Sequence, residues 1–235
     1  MEEPIQELAP RLSDCLKLIY TMQERGEKVS TSVVSERLGV SDATVTMLFK
    51  DFATAGWVEH VPYRGVRLTP LGERKAMEVI RHHRLLELYL ARELGYSWDK
   101  VHDEADRLEH VISEEFEEKL DALLGHPTVD PHGDPIPSKE GVISVRKGCS
   151  LLQLQEGQSA LVLRVSDQDP EKLRYLGQLG LYPETRVKLL ERVPFGGPVR
   201  LLVGEKQEQS ERMLGAELAE HILVSPIETS EVANK

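Results

Sequence analysis

The nine residues His102-Asp103-Glu104-Ala105-Asp106-Arg107-Leu108-Glu109-His110 hold two imidazoles and four carboxylates. No Gly or Pro interrupts them, which predicts a helix over about 98–112. On that helix His102, Asp106, Glu109 and His110 fall at i, i+4, i+7 and i+8, on one face. Val101, Ala105, Leu108, Val111 and Ile112 make the apolar face beside it. Carboxylates next to a core-facing stripe cost several kcal/mol each if buried without a counter-charge. Two readings follow: oxygen and nitrogen donors gathered around a divalent cation, or a solvated acidic helix face. His83 and Glu87 are i and i+4 on another predicted helix, a spacing that can place two ligands on one ion, with His82 read as a surface residue. Asp14 is a lone acid beside Cys15 and Leu16. Asp130 and His132 lie in a segment rich in Pro, Gly and Asp, where His132 is a further candidate ligand.

The elements that must position these groups can be read along the chain. Residues 8–25 keep a helical period through Leu8, Leu12, Cys15, Leu16, Ile19 and Met22. Helices of about 31–38 and 42–55 follow, separated by Leu38-Gly39-Val40-Ser41, with Ser41 a good N-cap. That pattern predicts a helix-turn-helix, although two helices can also pack this way without touching DNA. Trp57–Val61, the turn Pro62-Tyr63-Arg64-Gly65, and Val66–Thr69 predict a basic-tipped hairpin, completing a winged helix. Ser41, Thr44, Thr46, Lys50 and Arg64 are the expected phosphate contacts. Arg67 approaches phosphates or a minor groove, and Ala43 and Met47 suit contact with thymine methyls.

Thr69-Pro70 opens a long helix to about Leu94, and a further helix covers about 114–124. Apolar positions on these helices exceed what a lone small domain needs, which points to a dimer interface or a covering domain. Residues 126–141 read as an irregular linker. From Val142 onward, short strands with Gly and Pro turns, a helix over 173–179 and a helical turn over 214–221 predict a small SH3-like barrel. The expected fold is α+β, with a winged-helix domain at 1–72, a helical metal-sensing and dimerisation domain with linker at 73–141, the barrel at 142–226 and a tail at 227–235.

A net charge of −11 over 235 residues argues against a protein that coats nucleic acid by charge alone, but not against a local basic patch. The two cysteines are far apart, the N-terminus lacks a basic and apolar leader, and no apolar run approaches a membrane span. The expectation is a cytoplasmic protein with no membrane partner. No P-loop, dinucleotide-binding glycine pattern or nucleophile–His arrangement is present, and a non-enzyme is expected.

The stretch 102–110, the earlier Arg-His-His-Arg-Leu-Leu-Glu and the segment Pro-His-Gly-Asp-Pro-Ile-Pro at 131–137 resemble the diphtheria toxin repressor family of metal-dependent transcriptional regulators, of the manganese-responsive type. The resemblance implies a primary metal site at Asp14, Asp106, Glu109 and His110. It implies an ancillary site at His83, Glu87 and His102, completed by barrel oxygens at Asp169 or Glu171, with His132 a linker candidate. Carboxylates at 14 and 106, where iron-type members carry sulfur, favour Mn2+, with Fe2+ the alternative and other divalent ions able to bind in vitro. Lys17 departs from manganese-type members that hold a paired site, which have an acid there, and this tells against a closely coupled two-manganese cluster. The implied function is metal-activated binding of a homodimer to a palindromic operator, usually repressing metal-uptake or homeostasis genes. Two rivals are an HD-type phosphohydrolase built on His102-Asp103 and a winged-helix regulator that senses an organic ligand.

Overall fold

The computed structural model describes residues 5–144, 146–166, 169–205 and 208–227, with side chains described from Leu12 onward. The expected tail lies outside these residues except at its first position. The chain forms two compact units. One holds the N-terminal residues to 85 together with 106–122 and 136–143; the other holds 86–105, 123–135 and 144 onward. The helical residues 73–141 are divided between them.

In the first unit, α1 (Ile5–Glu24), α2 (Thr31–Leu38) and α3 (Asp42–Thr54) precede a two-stranded antiparallel wing, β1 (Val58–Val61) and β2 (Gly65–Leu68). Gly39 ends α2 in the left-handed region at φ 64°, and the Ser41 side chain accepts from the backbone N of Thr44 to start α3. Cys15, Leu16, Ile19 and Met22 of α1 share one buried core with Val34, Val45, Leu48, Phe52, Val58, Val66 and Leu68. Phe52 packs on Trp57 with ring centroids 5.6 Å apart. The outer surface of α3 is left to Ser41, Ala43, Thr46, Met47 and Lys50, all exposed, with Thr44 half-buried. Arg64 and Arg67 are exposed on the wing, where Arg67 pairs with Glu59.

Helix α4 (Pro70–Arg92) starts on Thr69, whose hydroxyl accepts from the N of Gly72 at 3.2 Å. α5 (Val101–Leu108) is shorter than the predicted 98–112, so Glu109 and His110 lie in the turn after it. Ser113 then caps α6 (Glu114–Leu123) by accepting from the N of Phe116. One expectation fails here. His82 is buried, because Glu117 of α6 turns inward and takes both His82 Nε2, at 2.8 Å, and Arg81 Nε, at 2.6 Å. Phe116 and Leu123 of α6 are exposed.

The second unit is built on a six-stranded antiparallel sheet of order β3-β8-β4-β5-β6-β7. Its strands are β3 (Cys149–Ser150), β4 (Ser159–Val165), β5 (Arg186–Arg192), β6 (Val199–Val203), β7 (Ser210–Leu214) and β8 (Ile222–Ile227). α7 (Pro170–Gln178) and α8 (Ala216–Glu220) accompany it, giving the SH3-like fold. Leu214 ends a strand instead of opening a helical turn. Trp98 joins the core of this unit with Leu151, Val162, Leu176, Leu189 and Val224. Residues 129–135, read from sequence as irregular linker, are ordered. Asp130 Oδ1 accepts from the N of His132 at 2.8 Å and of Asp134 at 3.0 Å, and the N of Val165 donates to the carbonyl of His132 at 2.9 Å. No described helix is long and apolar enough to cross a membrane.

Candidate metal centre

Within the first unit, three stretches distant in sequence bring donors together. α1 contributes Asp14 and Lys17, α4 contributes His83, and the last turn of α5 with the turn after it contributes Asp106, Glu109 and His110. His110 Nε2 lies 3.4 Å from Asp14 Oδ1 and 3.9 Å from Glu109 Oε1. One ligand atom each from Asp14, Glu109 and His110 fall within 4.8 Å of one another. Glu109 is fully buried; its Oε2 accepts from His83 Nδ1 at 2.5 Å, and Asp106 Oδ1 lies 3.1 Å from the same nitrogen. The Lys17 ammonium donates to Asp106 Oδ1 at 2.8 Å and to both oxygens of Glu109 at 3.0 and 3.1 Å.

The electrostatics follow from this packing. Burial pushes the Asp14 carboxyl above the ordinary aspartate range, a rise that His110 and Lys17 only partly offset. Burial opposes ionisation of Asp106 too, but hydrogen bonds and charge from His83 and Lys17 hold it far below that range. Burial disfavours the Lys17 cation, yet Glu109 and Asp106 outweigh it and keep the ammonium charged. Burial, helped by Asp14, raises the adjacent Cys15 thiol to about 12, so it stays a packed, protonated side chain and not a thiolate ligand. Three carboxylates against one ammonium leave a formal charge of −2. The hard oxygen and imidazole donors fit a divalent ion such as Mn2+ or Fe2+.

A second set lies in the other unit: Glu87 from the end of α4, His102 from α5, and Asp130 and His132 from the ordered turn. Glu87, Asp130 and His132 are all buried, with one ligand atom of each within 4.8 Å of the others. His102 Nδ1 is 3.2 Å from Glu87 Oε1. His132 Nε2 is 2.8 Å from the Trp98 carbonyl, which can only accept, so that nitrogen carries the proton. Its Nδ1 lies 4.0 Å from Glu87 Oε2, so the Trp98 carbonyl orients the ring with this nitrogen toward the acid. The Trp98 carbonyl could not be identified from sequence, because its role depends on the tertiary position of the turn.

His83 and Glu87 are one turn apart on α4; His83 bonds to Glu109, and Glu87 bonds to His102. Asp169 and Glu171 are exposed. The Asp169 carboxyl caps α7 by accepting from the N of Glu171 at 2.9 Å, and among the described residues neither joins a group of three ligand-type side chains within reach of one ion. His82 and Glu117 do form such a group with Glu114, but Arg81 already supplies its cation.

A pH effect follows from the raised Asp14 carboxyl. Its proton is held more tightly in the folded, metal-free chain, so its contribution to apo stability is present at low pH and lost as pH rises through the raised value. A cation bound by Asp14 must displace that proton. The Mn2+-induced rise in melting temperature should therefore grow as pH climbs from about 4, the ordinary aspartate range, through the raised value. A rise of the same size across that range, measured by calorimetry, would remove Asp14 from the ligand set.

Comparison with known proteins agrees with this arrangement along the chain. Residues 7–66 match the family description "Iron dependent repressor, N-terminal DNA binding domain", residues 69–138 "Iron dependent repressor, metal binding and dimerisation domain", and residues 149–226 "FeoA domain". The chain is 31% identical over 217 residues to the iron-dependent repressor IdeR of Mycobacterium tuberculosis, covering 86% of this chain and 93% of that protein. It is 34% identical over 185 residues to the diphtheria toxin repressor of Corynebacterium efficiens, covering 74% of this chain and 80% of that protein. A solved structure described as a manganese-dependent transcriptional repressor complex with manganese superposes with a TM-score of 0.82 at 39% identity, over 92% of this chain and 99% of that one. Similarity of this degree, running through the DNA-reading helices, the donor-bearing helices and the SH3-like sheet alike, places the chain in the diphtheria toxin repressor family of metal-dependent transcriptional repressors.

Proposed function

We propose that the chain is a manganese-responsive repressor of metal-uptake or metal-homeostasis genes that works as a cytoplasmic homodimer on a palindromic operator. Its primary ligands are Asp14, Glu109 and His110, supported by Asp106. A second site is formed by Glu87, Asp130 and His132, with His102 beside Glu87. Fe2+ is the alternative ion. The observation that carries this reading is the approach of Asp14, on α1, to His110, which follows α5: 3.4 Å between residues far apart in sequence. Carboxylates at 14 and 106 and the absence of a thiolate favour the harder ion.

A bound divalent cation would cancel the charge left on Asp14, Asp106 and Glu109. The chain's own residues carry that effect to DNA. Asp14 is on the same helix as Leu16, Ile19 and Met22, which share a core with Val45, Leu48 and Phe52 of α3. Fixing Asp14 therefore fixes where α1 lies in the core that supports the reading helix. With the carboxylates uncompensated, repulsion among them loosens that arrangement, with a coupling of about 1–3 kcal/mol. Exposed Phe116 and Leu123 supply an apolar surface suited to a second copy of the chain.

Mn2+ titration of the full-length protein, with an elemental count and operator binding followed by fluorescence anisotropy, tests the reading. Operator affinity should rise as Mn2+ fills the site and should be lost with a chelator; an affinity indifferent to metal would overturn it. Arg64, exposed at the wing tip, is expected to contact backbone phosphate and not bases. Arg64→Ala should weaken binding to operator and to unrelated DNA alike, by about five-fold, and lower the salt slope by about 1. A loss confined to the operator would assign Arg64 to base reading.

A further inference from the structure

Lys17 lies one turn after Asp14 on α1, and its ammonium is inserted among the acids of the centre. Its neighbours are Asp106 Oδ1 at 2.8 Å, the two Glu109 oxygens at 3.0 and 3.1 Å, and His83 Nδ1 at 3.4 Å. Two carboxylates and an imidazole are a set of partners that would serve a metal ion equally well. Glu109, fully buried, turns the same carboxylate toward Lys17 on one side and toward His110 on the other, with Oε1 at 3.9 Å from His110 Nε2. Glu109 thus joins two cation positions, and the chain fills one of them itself.

We propose that Lys17 is a tethered second cation of this centre: its ammonium takes the position between Asp106, Glu109 and His83, restricts the Asp14–Glu109–His110 position to one divalent ion, and holds Asp106 and Glu109 in place before that ion arrives. The proposal rests on the metal-sensing reading of Asp14, Glu109 and His110. Charge balance gives the reason for one ion. Asp14, Asp106 and Glu109 contribute −3 and Lys17 contributes +1, leaving −2, which one divalent ion neutralises. An acid at position 17 would change the sum to −4, which two divalent ions neutralise. Glu109 is fully buried, while Asp14 and Asp106 are 40% and 42% exposed, so compensation counts for more here than on the open surface.

The test uses full-length protein loaded with Mn2+, freed of excess ion, and read by elemental count, electron paramagnetic resonance and melting temperature of the metal-free form. Lys17→Glu should bind one Mn2+ more per chain than the parent and show a broadened, spin-coupled spectrum that the parent lacks. The metal-free form of Lys17→Met should melt about 4–8 °C lower, because the acids lose the cation that pairs them. A spin-coupled pair in the parent, no added ion in Lys17→Glu, or an unchanged metal-free melting temperature in Lys17→Met would each overturn the proposal. If Lys17→Glu does not fold, Lys17→Met decides alone, by the melting temperature of its metal-free form. Asp14→Asn separates the two levels. If it binds as many ions as the parent, the metal-sensing reading itself is wrong; if it loses one ion while Lys17→Met melts like the parent, only the role given to Lys17 is wrong.

Discussion

Asp14→Asn should abolish the metal-driven gain in operator affinity, a loss of about 10- to 100-fold at saturating Mn2+, while leaving metal-free binding at the parent's level. The substitution keeps the shape of the side chain and removes only its charge. Asp14 is half-buried on α1, where burial already disfavours its anionic form, so the metal-free chain loses little by the change. Its melting temperature should move by less than about 2 °C. The consequence for the centre is much larger. Asp14 is the carboxylate that α1 presents to His110, and the buried residues next to it, Cys15 and Leu16, belong to the core of the winged helix. Glu109 and His110 retain their places without it, but they have lost the ligand that ties them to the DNA-reading half of the unit. Elemental analysis should therefore show one weakened site, and anisotropy should show a repressor that no longer answers to Mn2+. A variant that keeps the parent's metal response would mean that α1 takes no part in the switch, and that the 3.4 Å approach of Asp14 to His110 is an ordinary polar contact.

Much of this arrangement was legible in the residues because it rests on local signals. Ser41 and Gly39 mark the ends of α3 and α2 through backbone chemistry that acts within one turn, and the period of Cys15, Leu16, Ile19 and Met22 gives the buried side of α1. The donor-rich stretch 102–110 identified itself by composition. Its helical reading was too long, because Glu109 and His110 reach their partners from the turn beyond Leu108 and not from a continuous helix face. The failures share a cause, which is that the deciding partner lies far along the chain. His82 looks like a surface residue until Glu117, 35 positions later, turns inward and buries it with Arg81. The Asp130–His132 segment reads as linker from its Pro and Gly content. It is ordered by an Asp130 side chain bonding its own backbone, and by the carbonyl of Trp98 receiving His132. β7 carries Glu211 and Arg212 in an otherwise weak strand pattern, and only pairing with β6 makes it a strand. Lys17 could be seen in sequence as a departure from the family pattern, but its contacts with Asp106 and Glu109, 89 and 92 positions away, could not.

Gly65→Ala should cost about 2–4 kcal/mol of stability in the first unit and lower operator affinity at least about ten-fold, with the bound-metal count unchanged. Gly65 opens β2 at φ 93°, a conformation that L side chains rarely adopt. An added Cβ would lie 1.8 Å from the carbonyl oxygen and 2.7 Å from the carbonyl carbon of Val29, so the obstacle is backbone and cannot swing aside. That carbonyl also accepts from the N of Val66 at 3.1 Å, the bond that stitches the wing to the segment between α1 and α2. Relief of the clash must break this bond, leave a buried backbone acceptor without its partner, and part Val29 from Val66, both of which belong to the core. The wing carrying Arg64 then no longer holds a fixed position beside α3. Because Asp14, Glu109 and His110 are not reached by this change, the loss should be the same with and without Mn2+, whereas Asp14→Asn acts only when Mn2+ is present. Chemical denaturation and anisotropy on the two variants side by side would separate them. Parent-like operator binding by Gly65→Ala, in a chain shown to be destabilised, would remove the wing from the DNA-binding surface and leave α3 to hold the operator alone.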